Sequence, residues 1–212
     1  MDSVLLAYFV TAKKKAAVVD LGAGCGIITR LLAQRGVHGP FTAVELNAEA
    51  AACCRVNLAD LNATVLAHDL RQPHPLLSAH AFDLVVSNPP FHLPGRGRMS
   101  PQSAKSLARH QTEFTLDDLW GVAGKLLSAK GRLALCLSTR WLDLALTGIN
   151  RHGLFIKRLR MVHGRVELPA KIALLEIIKA GGPELKVEPP LIIYTDRHNT
   201  LHPEVADLYA QI

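Results

Sequence analysis

The chain has 212 residues, of which 49% are apolar, 20% charged and 5% aromatic. That balance excludes a disordered or collagen-like chain, and the length buries enough surface to need no disulfide or metal staple. The net charge of +6 is uneven: residues 1–90 sum to zero, 91–113 carry +3 and 151–171 carry +5. Two concentrated basic segments suit a polyanionic partner, although solubilising surface charge has the same composition.

The opening MDSVLLAYFV is apolar but too short for a membrane span. It starts with an acid, and Lys13, Lys14 and Lys15 follow it rather than precede it, unlike a secretory signal. Cys25, Cys53, Cys54 and Cys136 show no CxxC or metal spacing and read as reduced thiols. A cytoplasmic protein without membrane contact is expected.

In chain order, AAVVDL (16–21) is a buried strand, followed by a glycine loop and a helix over 27–36 that Gly36 closes. FTAVEL (41–46) is the next strand, 48–61 an alanine-rich helix, ATVLAHD (63–69) a strand and FDLVVSN (82–88) a very apolar one. A helix over 115–131 starts at Thr115, with Asp117 and Asp118 in its first turn, and stops at Gly131. A strand over 132–138, a helix over 140–151, and strands over 154–162 and 171–180 complete the pattern. Strands too apolar for one-sided burial, alternating with helices, predict a doubly wound α/β domain. It would be a mostly parallel, seven-stranded, Rossmann-like sheet with an antiparallel edge. One domain over 1–212 is expected, with a proline-bounded tail over 183–212.

The glycine loop reads Asp20-Leu21-Gly22-Ala23-Gly24-Cys25-Gly26. A dinucleotide fingerprint needs glycine where Ile27 stands, and an acid at the strand end would repel a pyrophosphate. It suits an amino-acid ammonium instead. Glu45 ends the second strand, placed for ribose hydroxyls, and Asp69, followed by Leu70, ends the third. Acids at the carboxyl ends of adjacent strands lie where open α/β sheets bind ligands. An ammonium, a sulfonium, a ribose and an adenine together describe S-adenosylmethionine.

Ser87-Asn88-Pro89-Pro90-Phe91 closes the fourth strand. The prolines hold the turn extended and donate no N–H, so the Asn88 amide oxygen and the Pro89 carbonyl form rigid acceptors beside a flat Phe91. This suits a conjugated amine such as adenine N6, whose lone pair is delocalised into the ring. Catalysis would rest on orientation and electrostatics.

With both motifs on the page, the chain resembles a class I amino-methyltransferase of the NPPF type. More closely it is similar to the bacterial tRNA(Val) adenine-37 N6-methyltransferase family, within the methyltransferase small domain group. The matching stretches include DSVLLAYFV, VVDLGAGCGIITRLLAQR, AVELN, DLVVSNPPF, SPQSAKSLARH and LKVEPPLIIY. The resemblance implies Asp20, Gly22, Gly24 and Gly26 around the methionine part of the cofactor, Glu45 on the ribose, and Asp69 with Leu70 at the adenine. It implies Asn88, Pro89, Pro90 and Phe91 as the target-base site. Gln111 stands where the family usually has an acid. Family members also carry more chain before DSVLLA, so residues 1–12 read as the remnant of a capping helix.

The expected RNA contacts are Arg96, Arg98, Lys105 and Arg109 in the first basic segment, and Lys157, Arg158, Arg160 and Lys171 in the second. The ten histidines offer no ligand set, so no metal is expected. Trp120 and Trp141 read as packing residues. The expected assembly is a monomer acting on tRNA. Its rivals are a protein-glutamine N5-methyltransferase and a non-catalytic RNA- or cofactor-binding module.

Overall fold

The computed structural model describes residues 1–89 and 114–211. Helix α1 (Asp2–Phe9) precedes strand β1 (Val18–Leu21), α2 (Ile27–Gln34), β2 (Phe41–Glu45), α3 (Ala48–Asn57), β3 (Ala63–Ala67) and β4 (Phe82–Ser87). After residue 113 come α4 (Leu116–Leu126), β5 (Leu127–Ser138), α5 (Leu142–Gly148) between two single 3-10 turns, β6 (Leu154–His163) and β7 (Ala170–Lys179). Short strands β8 (Lys186–Val187) and β9 (Leu191–Ile192) and helix α6 (Pro203–Tyr209) finish the described chain.

The strands form one sheet in the order β3-β2-β1-β4-β5-β7-β6-β8, with β9 also beside β6. β1 to β5 pair in parallel, whereas β7 runs antiparallel to both β5 and β6. The expected antiparallel edge is therefore present. Among the described residues the sheet has nine strands rather than seven, because the segment after Pro183 adds two short ones. Leu191, Ile193 and Val205 from that segment are buried in the core.

The central strands are apolar because both faces are covered. Val18 packs with α1 and α2 on one side, while Val19 and Leu21 pack with α4 on the other. α1 buries Val4, Leu5, Leu6, Ala7 and Phe9, so most of its circumference is core rather than surface. Its carboxyl end is held by Arg35, which donates to the carbonyls of Ala7 and Val10 and lies over the Tyr8 ring.

The boundary between α4 and β5 differs most from the sequence reading. α4 starts as expected, with a reciprocal cap between Thr115 and Asp118, but ends at Leu126, five residues before Gly131. Leu127 is already extended and pairs with Phe82. Gly131 lies within β5, where a Cβ would meet the Ser128 carbonyl oxygen at 3.0 Å. Its glycine serves a tight irregularity beside the left-handed Lys130 (φ 61°), not a helix stop.

Candidate active site

The parallel register puts the chemistry-bearing residues on one rim. Leu21 of β1 lies opposite Val44 of β2 and Ser87 of β4, and Glu45 lies opposite Ala67 of β3. The glycine loop, Glu45, Asp69 and Asn88 therefore leave the sheet at neighbouring carboxyl ends. Strands β1 and β4 are tied at this level by the buried Ser87 hydroxyl, which donates to the Leu21 carbonyl at 2.7 Å.

The loop turns on backbone bonds: Gly22 and Ala23 N–H both donate to the Val44 carbonyl, at 2.9 and 3.0 Å. Gly22 (φ 75°) and Gly24 (φ 55°) are left-handed, and a Cβ on either would point into open space. Gly26 differs. A Cβ there would meet the Cys54 sulfur at 2.8 Å, so this glycine lets α2 start against α3. Glu45 braces the loop from the side, its Oε2 accepting from Gly24 N–H and its Oε1 from Asn47 N–H, both at 2.8 Å. Each carboxylate oxygen keeps a lone pair for a ligand hydroxyl.

Asp20 lies beneath the loop, 0% exposed, with its Oδ2 accepting from the Thr29 hydroxyl at 3.0 Å. Its Oδ1 is buried and has no partner among the described residues. Burial pushes the carboxyl up to about 7; the Thr29 hydrogen bond opposes this and the charge of Glu45 adds to it. The folded protein therefore holds a proton that the unfolded chain releases near its ordinary value of 3.8. The stabilising contribution is full below that value and is lost as pH rises through about 7. Relative to Asp20→Asn, the wild-type protein is expected to lose stability over this window, as read by urea denaturation at a series of pH values. Parallel pH profiles for the two proteins would overturn the assignment.

Asp69 leaves the same rim, turned toward Arg71. The guanidinium donates to both carboxylate oxygens, with the shortest contact at 2.6 Å, and holds the acid below its usual range. Leu70 packs into the core on the α4 side. Asn88 is half-buried, and its Nδ2 donates to the Ser3 hydroxyl of α1 at 3.0 Å. Pro89 follows, also half-buried. Pro90, Phe91, Arg96, Arg98, Lys105 and Arg109 lie outside the described residues.

Three cations of the second basic segment have partners within the protein. Arg158 was expected on RNA, yet its guanidinium bonds Glu188 at 2.9 Å, Glu176 at 3.1 Å and the Thr11 hydroxyl at 2.8 Å, and covers the Phe9 ring. Arg160 donates to the Pro189 carbonyl and pairs with Glu204, and Lys157 donates to the Pro183 carbonyl. These cations fasten the carboxyl-terminal segment and α1 to β6. Lys171 stays exposed. Sequence reasoning missed Ser3, Thr29 and Glu176. Only Glu176 left a trace, as the lone acid inside the apolar run IALLEII.

The model of the methyltransferase small domain family matches residues 2–139, from α1 through the end of β5. The chain belongs to that family. Among curated relatives, a tRNA1(Val) (adenine(37)-N6)-methyltransferase of Shewanella frigidimarina is 30% identical over 74% of this chain and 65% of its own length. Another of that name, from Dickeya chrysanthemi, is 35% identical over 64% of this chain and 54% of its own. The chain thus spans between about half and two thirds of these relatives. Among solved structures, a predicted O-methyltransferase of Agrobacterium tumefaciens superposes with a TM-score of 0.76 over all of this chain and 96% of that one, at 23% identity. An S-adenosylmethionine-dependent methyltransferase of Mesorhizobium loti gives 0.61 over 82% and 96%, at 16% identity. The fold observed here is therefore shared with these solved methyltransferase structures.

Proposed function

We propose that this chain transfers a methyl group from S-adenosylmethionine to the exocyclic N6 amine of an adenine in tRNA. The observation that carries the reading is the position of Asn88-Pro89. They follow the Ser87–Leu21 pair directly, level with the first glycine of the loop. Donor site and acceptor site then open on one rim.

The residues present fit the cofactor. Open space beyond Gly22 and Gly24 leaves room against the loop backbone. The partnerless Asp20 Oδ1 suits a positively charged group, which would favour ionisation of that carboxyl. Glu45 would accept from ribose hydroxyls, and Leu70 and Asp69 flank the adenine end. When bound, S-adenosylmethionine supplies an electrophilic methyl carried on a sulfonium.

The protein's own contribution is orientation. The Asn88 amide oxygen and the Pro89 carbonyl would each accept one hydrogen of the target amine. Two fixed acceptors draw the amine hydrogens out of the ring plane and aim the nitrogen lone pair. No strong base is required, because the amine proton becomes acidic only once the nitrogen is alkylated. The adenine must leave its stack to reach the rim, at a cost of a few kcal/mol. The basic residues of segment 91–113 would hold phosphates while it does so.

The names of the relatives supply the finer reading, adenine 37 of tRNA1(Val). Bulk tRNA incubated with the protein and methyl-labelled S-adenosylmethionine is expected to yield labelled N6-methyladenine after nuclease digestion. Label in protein glutamine instead would favour the rival substrate, and no label in either would sink the reading.

A further inference from the structure

We propose that Ser3 is a positioning residue that holds the Asn88 side chain with its amide oxygen toward the target amine. The inference rests on the reading of Asn88 as the target-amine acceptor and adds the device that makes it one. A primary amide is nearly symmetric in shape but not in chemistry: one end accepts two hydrogen bonds and the other donates two. Turned one way, Asn88 accepts from an adenine amine. Turned the other, its NH₂ meets another NH₂, and two donors repel. Pro89 restrains the Asn88 backbone but says nothing about the side-chain turn.

Ser3 holds the side chain in place: its hydroxyl accepts from Asn88 Nδ2 at 3.0 Å across 85 residues of sequence, and the flipped amide would set NH₂ against the target NH₂. With the donor end engaged there, the amide oxygen is the end left to serve as acceptor. The bond is only as useful as its support is rigid, and the support is core. Ser3 sits in the first turn of α1, where Val4 and Leu5 N–H donate to the Met1 carbonyl. Leu5, Leu6 and Ala7 immediately after it are at most 1% exposed. At the other end of the helix, Arg35 pins the Ala7 and Val10 carbonyls. On the Asn88 side, the Ser87–Leu21 bond fixes the strand end. The acceptor geometry is thus set from two rigid elements.

The test compares Ser3→Ala, Ser3→Thr, Asn88→Ala and the Ser3→Ala/Asn88→Ala double variant in single-turnover methyl transfer to tRNA. Ser3→Ala is expected to slow transfer about tenfold, the size of one net hydrogen bond, with cofactor affinity, tRNA half-saturation and melting temperature unchanged. Ser3→Thr, which keeps the acceptor, recovers most of the loss. In the double variant, Ser3→Ala adds nothing to Asn88→Ala, because the residue acts only through that amide. Independently of activity, the Asn88 side-chain amide resonances of isotope-labelled protein shift in Ser3→Ala and not in Ser3→Thr. Full activity in Ser3→Ala, or losses that multiply in the double variant, would overturn the proposal while leaving Asn88 in place. An active Asn88→Ala would instead remove the reading of the site itself.

Discussion

Asn88→Ala is expected to slow methyl transfer by roughly 100- to 1000-fold, the cost typical of removing one preorganised polar contact to the reacting group. S-adenosylmethionine affinity should stay within about twofold, well under the tenfold that one net hydrogen bond is worth. The split follows from placement. The glycine loop is held by Val44 and Glu45, and Asp20 by Thr29, so among the described residues none of the loop's own bonds passes through Asn88. Its side chain is held from the far side by Ser3, and truncation leaves the Ser87–Leu21 bond intact. Rapid-quench transfer and calorimetric titration of the cofactor measure the two quantities separately. A variant that loses cofactor affinity in proportion to rate would put Asn88 in the donor pocket, and the division between donor and acceptor sides of the rim would fall.

The half of the chain carrying this division was legible because its physics is local. β1, β2 and β4 are short apolar runs buried on both faces, and β4 ends at a proline that cannot extend the ladder. The loop residues announce themselves by composition. What stayed hidden depends on partners distant in sequence. Asp20 could be placed at the strand end, but not its complete burial under Thr29. Arg158 read as an RNA contact, and its ion pairs stayed hidden because its partners Glu176 and Glu188 lie 18 and 30 residues away. Ser3 is an ordinary helical serine until β4 is brought beside it. Gly131 misled for a related reason: a glycine after a helical run commonly stops a helix, and here it serves the strand that has already begun.

Glu176→Ala is expected to cost about 3 kcal/mol of stability, the lower end of the range for breaking a buried ion pair from one side. Glu176 is 1% exposed in the middle of β7 and is the shared acceptor of three donors: Arg132, Arg158 and the Thr11 backbone N–H. Those donors come from β5, β6 and the chain just after α1, so one carboxylate joins three segments. The lower end applies because the Arg132 and Arg158 side chains are 37% and 25% exposed and can turn to water once the acid is gone. The Thr11 N–H has less freedom. Glu176→Gln, which keeps an acceptor for Thr11 but removes the charge, should recover part of the loss. Asp60→Ala, which breaks the solvent-exposed Arg30–Asp60 pair, should leave stability unchanged within error. Urea denaturation of the three variants measures the ordering. If Glu176→Ala were as mild as Asp60→Ala, the Arg158 cluster would contribute no more than a surface ion pair, and that arginine would again be available for a phosphate.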